Sequence, residues 1–216
     1  MTSDPHRNQP LRQKGIPIKE AAGAVILVHG RGASASDILS LAEELYHPAL
    51  AYLAPEAAGH TWYPKSFLAP LEENEPWLSS ALKKLKDTVD YALSSGITLS
   101  RIALMGFSQG ACLTTEFVAR HPQRYGGLIA FTGGLIGPPG TRFRYDGKLD
   151  SMRALLASGD PDPHVPWQRA QDSAQVLSRM GADVTLRRFP GLPHTISEEE
   201  IELAKPILMD LVPGGS

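Results

Sequence analysis

The chain carries one cysteine, Cys112, among 216 residues. A single thiol forms no intramolecular disulfide and no cysteine-rich metal site. It fits a reducing compartment, and a cytoplasmic location is the expectation. Strong charge of either sign is also missing: 21 Lys and Arg stand against 23 Asp and Glu, a formal net charge of -2. Neither that balance nor any local run of Lys or Arg offers a surface to nucleic acid. Long apolar runs are absent as well. Ala21 to Val28 is the longest early one, far too short to span a bilayer, so no stable membrane association is expected. The start, Met1 to Gln13, is polar, is broken by Pro5 and Pro10, and lacks the apolar core of a secretory signal. Clustered metal ligands such as H-E-x-x-H do not occur. No metal and no cofactor are expected.

What is present is enough for one globular domain: 42% of the residues are hydrophobic and 20% charged. Short apolar runs alternate with amphipathic ones. Ala24 to Val28, Leu50 to Ala54, Arg101 to Met105, Gly127 to Phe131, Met152 to Ala157 and Asp183 to Phe189 read as strands. Between them, Ser36 to Tyr46, Leu78 to Leu93, Gln109 to Arg120, Pro166 to Met180 and Ser197 to Leu211 read as helices. Ser36 or Asp37 caps the first of these, and Ser197 with Glu200 forms a capping box at the last. The second carries Leu78, Leu82, Leu85, Val89 and Leu93 on its inward stripe. Buried strands separated by helices imply a mostly parallel, doubly wound α/β sheet with helices on both faces. No linker divides it, so residues 21–216 form one domain without a large cap. Residues 1–20 form a polar tail, in which Lys14 to Glu20 adds an edge strand.

The strand at Arg101 runs into Gly106-Phe107-Ser108-Gln109-Gly110 and then directly into a helix. A bare G-x-S-x-G arises by chance in roughly one chain in fifteen of this length, so the context decides its meaning. Strand, tight turn and helix together make a nucleophile elbow. A Cβ at Gly106 or Gly110 would crowd the turn that holds Ser108 in a strained conformation. There the hydroxyl sits above a helix N-terminus, whose free N–H groups favour developing negative charge. The competing reading is an ordinary strand-to-helix turn with Ser108 as its N-cap.

A serine hydroxyl needs a base. Of seven histidines, His194 lies in the loop Pro190-Gly191-Leu192-Pro193-His194 after the last strand. In a parallel sheet that loop emerges at the carboxyl edge, beside Ser108. The base in turn needs a carboxylate to fix its tautomer. Asp160 and Asp162 both follow the strand at Met152 and reach the same edge. Spacing does not choose between them. The chain order Ser, Asp, His is that of α/β-hydrolases.

Four stretches carry a wider resemblance: Val28-His29-Gly30-Arg31-Gly32, Gly106 to Gly110, Gly159-Asp160-Pro161-Asp162-Pro163-His164-Val165-Pro166, and Gly191-Leu192-Pro193-His194. In this order, over nearly everything after residue 24, they resemble the phospholipase/carboxylesterase family of small α/β-hydrolases. That resemblance implies the α/β-hydrolase fold and a catalytic triad of Ser108, Asp162 and His194. The family's G-x-x-D-x-x-V-P pattern falls on Gly159 and Asp162, leaving Asp160 to order the loop. It also implies an oxyanion hole made by the backbone N–H groups of Arg31 and Gln109. Thr61-Trp62-Tyr63-Pro64 and Asn74-Glu75-Pro76 look like a bacterial branch closer to simple esterases than to eukaryotic thioesterases.

The remaining expectations follow from position. His29 holds the Gly-rich loop in shape and is no base. The Arg31 side chain meets solvent, with an acidic part of a substrate as the alternative. Glu56 to Pro76 is a long connection, and long loops without secondary structure are often functional. Its Trp62, Tyr63, Phe67 and Leu68 are expected to wall the substrate pocket, and Cys112 to face the core. The implied activity is a serine carboxylesterase acting on short-chain or small aryl esters through an acyl-enzyme. An acyl-protein thioesterase or lysophospholipase acting on longer chains, and a catalytically silent binding protein, are the alternatives. The expected partner is a small-molecule ester, and a homodimer is left open.

Overall fold

The structure is a computed structural model describing residues 4–214. Residues 1–3 of the polar tail and 215–216 of the domain lie outside the described residues. Seven strands form one sheet in the order β1-β3-β2-β4-β5-β6-β7. They are β1 (Leu11–Gly15), β2 (Gly23–Val28), β3 (Leu50–Pro55), β4 (Ile102–Phe107), β5 (Gly127–Phe131), β6 (Arg153–Asp160) and β7 (Asp183–Pro190). All neighbours pair parallel except β1, which runs antiparallel to β3. This is the α/β-hydrolase fold.

Parallel strands buried on both faces need cover on both. Alternation in β2 divides the core: Ala24, Ile26 and Val28 join one apolar cluster, and Val25 and Leu27 join the other. The first cluster takes in α3 (Trp77–Ser94), α4 (Gln109–Arg120) and α5 (Trp167–Arg179) through Leu78, Leu85, Phe117 and Leu177. The second takes in α1 (Ala35–Ile38), α2 (Leu41–Glu44) and α6 (Glu198–Met209) through Ile38, Leu41, Ile201 and Leu208.

Several elements differ from expectation. The single helix expected over Ser36 to Tyr46 is two short ones, and its cap is Ser34. The Ser34 hydroxyl accepts from the Asp37 N–H, and the Asp37 carboxylate accepts in return from the Ser34 N–H, closing a capping box. In α3, Leu93 is 40% exposed, off the buried stripe. The edge strand occupies Leu11–Gly15, and a 3₁₀ turn at Ile18–Glu20 replaces the expected end of that strand.

Nor do residues 4–20, the described part of the expected tail, stand apart from the domain. His6 is fully buried and packs against Trp62 and Trp77 at 5.4 Å each between ring centroids. Its Nδ1 accepts from the Ala58 N–H, so Nε2 carries the proton and donates to the Trp62 carbonyl at 3.0 Å. Burial holds its pKa down, in keeping with a neutral ring.

Candidate active site

The turn after β4 is as tight as its glycines imply. A Cβ on Gly106 would strike the Gly110 backbone and come within 2.6 Å of the Ala111 nitrogen. Ser108 between them has φ 54° and ψ -119° and makes no side-chain capping bond to α4. A non-glycine residue at positive φ is held there only by its surroundings. Its N–H donates to the Phe131 carbonyl, and its own carbonyl accepts from the Cys112 N–H, 3.0 Å each. The hydroxyl is therefore free of the N-cap role.

His194 reaches this hydroxyl from the loop after β7. The Ser108 O–H donates to His194 Nε2 over 2.9 Å, and His194 Nδ1 lies 2.7 Å from Asp162 Oδ2. Asp162 Oδ1 accepts from the His164 and Val165 N–H groups at 2.8 Å. Burial alone would raise the Asp162 carboxyl. The bonds from Val165, His194 and His164 outweigh it and hold the group below its ordinary value. An ionised Asp162 makes His194 Nδ1 the protonated nitrogen, which leaves the Nε2 lone pair facing the serine. Phe107 and His164 pack on the imidazole, 5.0 and 4.8 Å between ring centroids. Asp160, two residues before Asp162, turns instead to Arg188 of β7 and forms an ion pair there.

The loop after β2 lies against the nucleophile: a Cβ on Gly30 would be 3.4 Å from the Ser108 Cβ. Gln109 is the first residue of α4, so its N–H has no partner within the helix. The Arg31 N–H makes no hydrogen bond among the described residues. His29 Nδ1 donates to the Gly30 carbonyl at 2.8 Å, and Nε2 accepts from the Ala57 N–H at 3.2 Å. Both ring nitrogens are thus spent on backbone, and burial keeps the ring's pKa down.

The Arg31 side chain is exposed, as expected, but it is also anchored. Its guanidinium donates to the carbonyls of Tyr63, Pro64 and Lys65 at 2.9, 3.0 and 2.6 Å. The Gln109 amide binds the same segment, accepting from the Trp62 N–H and donating to the Tyr63 carbonyl, both at 2.9 Å. The side chains of the two candidate oxyanion residues therefore pin one strip of the Glu56 to Pro76 connection beside Ser108.

That strip walls a cavity of about 460 Å³. Tyr63, Pro64, Lys65, Ser66 and Phe67 line it, together with Ser108 and His194. Trp62 and Leu68 do not. Trp62 is fully buried and donates its indole N–H to the His29 carbonyl at 2.9 Å; Leu68 packs against the main core. Cys112 faces the cavity rather than the core alone, but it is 1% exposed and burial pushes its thiol up to about 12.

Sequence reading missed Arg169 of α5. It is buried, donates to the carbonyls of Leu135, Gly137 and Pro138, and lies 5.7 Å from the centre of the Phe67 ring. No periodicity or motif marks a lone arginine for such a clamp. Among the described residues no group of three His, Cys, Asp or Glu side chains is arranged to hold a metal. No helix among them is long and apolar enough to cross a membrane.

A family model described as Phospholipase/Carboxylesterase matches residues 15–210. The crystal structure of a phospholipase/carboxylesterase from Dyadobacter fermentans DSM 18053 superposes with a TM-score of 0.89 at 43% identity, covering 93% of this chain and 97% of that one. A probable carboxylesterase, SOBER1-like, from Arabidopsis thaliana is 27% identical over 130 residues, 60% of this chain and 50% of that protein. Acyl-protein thioesterase 1 from Gibberella zeae is 26% identical over 144 residues, 65% of this chain and 61% of that protein. The matched part of the chain thus spans about half to three fifths of these two relatives.

Proposed function

Since the chain belongs to the phospholipase/carboxylesterase family, we propose that it is a serine carboxylesterase hydrolysing short-chain or small aryl esters, with Ser108, His194 and Asp162 as its triad. The observation that carries this reading is the unbroken hydrogen-bond chain from the Ser108 hydroxyl through both nitrogens of His194 to Asp162.

In this mechanism the Ser108 Oγ attacks the ester carbonyl carbon while His194 Nε2 takes the hydroxyl proton. Asp162 keeps the imidazole in the receptive tautomer and stabilises the imidazolium that forms. Negative charge moves to the former carbonyl oxygen, where the N–H groups of Arg31 and Gln109 stabilise it. On collapse the C–O bond to the alcohol breaks, and His194 returns the proton to the departing oxygen. Water then attacks the acyl-enzyme with His194 again as base. The acid is released and Ser108 regains its proton.

A fluorophosphonate probe, which labels only an activated serine, tests this directly. The expected result is one label per chain, located on Ser108 by mass spectrometry and lost in Ser108→Ala together with p-nitrophenyl butyrate turnover. A wild-type protein that neither labels nor turns over would be a binding protein on a hydrolase scaffold.

A further inference from the structure

Resting on that esterase reading, we infer that Lys65 recognises an anionic group on the substrate, a carboxylate or phosphate-type group carried away from the scissile bond. The starting observation is the charge around the cavity beside Ser108. Its lining includes two permanent cations, Arg31 and Lys65, and no Asp or Glu. The Asp162 side chain, behind His194, is buried with both oxygens engaged. A pocket lined by one sign of charge concentrates ligands of the other.

The two cations are not equivalent. Arg31 spends its guanidinium on three carbonyls of the wall. It supplies positive charge, but three of its five N–H donors are already committed to the carbonyls of that wall. Lys65 is the reverse. Its backbone is fastened on both sides: its N–H donates to Asn74 Oδ1 at 2.8 Å, and its carbonyl accepts from Arg31 at 2.6 Å. The next carbonyl, of Ser66, accepts from Asn74 Nδ2 at 3.0 Å. The stem thus leaves a fixed point on the cavity wall.

Its ammonium has no such anchor. Lys14, Lys83, Lys86 and Lys205 each pair with a carboxylate. Among the described residues Lys65 makes neither an ion pair nor a side-chain hydrogen bond, although Glu72 and Glu73 stand in the adjacent turn at Leu71–Asn74. An unpaired, flexible point charge whose stem is rooted in the fastened wall of the cavity that also holds the reacting serine suits an anionic group presented by the ligand.

The test compares the p-nitrophenyl monoester of glutaric acid with p-nitrophenyl pentanoate. The acyl chains match in length and differ in a terminal carboxylate against a methyl. The p-nitrophenyl ester of 4-phosphonobutanoic acid provides the phosphate-type arm. After subtraction of the uncatalysed rates, one or both anionic esters should exceed pentanoate in kcat/KM by roughly tenfold, mainly through KM, as expected for a charge-assisted contact. Which one does so identifies the anion. Raising the salt to about 1 M should shrink the ratio. Lys65→Met should bring it close to one, and Lys65→Arg should keep most of it. Pentanoate preferred over both anions by the wild type, or an anion preference unaltered in Lys65→Met, would overturn the inference while leaving an esterase. If no ester, neutral or anionic, is turned over, the esterase reading itself falls.

Discussion

Gly110 packs so closely on Val28 that a Cβ there would fall onto the Val28 carbonyl oxygen and lie 2.6 Å from its carbon. The first turn of α4 is thereby seated on the end of β2, with Ser108 and the Gly30 loop held side by side. Gly110→Ala must push helix and strand apart, which costs about 1–3 kcal/mol or more. At roughly 2–4 °C per kcal/mol for a chain of this size, a drop in Tm of several degrees is expected. Turnover should fall further than the stability loss explains, because the two oxyanion donors separate. Gly32→Ala is the control: it has open space around it but φ of +79°, and costs about 1–2 kcal/mol through backbone strain alone. Equal losses of turnover in the two variants would mean that the contact with Val28 does not organise the site.

Asp162 and Asp160 separate cleanly by function if the proposed triad is right. Asp162→Asn favours the wrong tautomer of His194 and should lower kcat by about 10⁴-fold. Asp160→Asn removes only the partner of Arg188, in a partly exposed ion pair outside the cavity lining, and should change kcat by less than about threefold. Steady-state kinetics on p-nitrophenyl butyrate reads both. The opposite ranking would move the acid role to Asp160.

Acid stability carries a second signature of Asp162. Its carboxyl is held below the ordinary value in the folded chain, whereas the unfolded chain titrates near the ordinary value of about 3.9. The stabilisation is therefore complete above about pH 4 and fades as the pH falls through the lowered folded value. Urea midpoints of the wild type and Asp162→Asn should differ at pH 7 and converge toward pH 3. A gap that stays constant down to pH 3 would show that the carboxylate contributes nothing through its ionisation.

Cys112 lines the cavity, yet burial pushes its thiol up to about 12. At pH 8 it remains protonated and therefore a poor nucleophile. Iodoacetamide should leave the folded protein unmodified for hours and alkylate one thiol promptly in urea, as followed by intact mass. Fast alkylation of the folded protein accompanied by loss of turnover would place the thiol open to the site.

The wall of the cavity is fastened rather than mobile. Arg31 holds three of its carbonyls, Gln109 binds Trp62 and Tyr63, and Asn74 ties Lys65 to Ser66. Each CH₂ of an acyl chain adds about 0.8 kcal/mol only while it finds apolar surface to cover. Among neutral p-nitrophenyl esters, kcat/KM should peak between acetate and hexanoate and fall steeply by dodecanoate. No jump in rate should appear as substrate passes its micellar concentration. A preference for palmitate, or clear interfacial activation, would mean that the strip moves as a cover over a longer groove.

Much of this was legible in the linear chain because it depends on neighbours. Strands β2 to β5 announce themselves as short apolar runs, since parallel strands need apolar residues on both faces. The Gly106 to Gly110 turn shows its strained serine through two glycines whose Cβ positions the fold occupies. Ser197 and Glu200 show their capping box through a spacing of three.

Contacts between distant residues were not legible. Asp160 ends β6 and Asp162 lies two residues beyond it, and only the parallel pairing of β6 with β7 brings Arg188 to one and the His194 loop to the other. Arg31 finds its three carbonyls 32 to 34 residues away, and backbone carbonyls carry no residue-specific signature. Trp62 and Tyr63 are adjacent aromatics in a connection without periodicity; both join the core, and only Tyr63 also lines the cavity. Periodicity and tight-turn chemistry act within a few residues, so sequence alone determines the elements and the elbow. Where a long polar side chain finds its partner depends on which backbone the completed sheet brings within reach, and only the tertiary structure decides that.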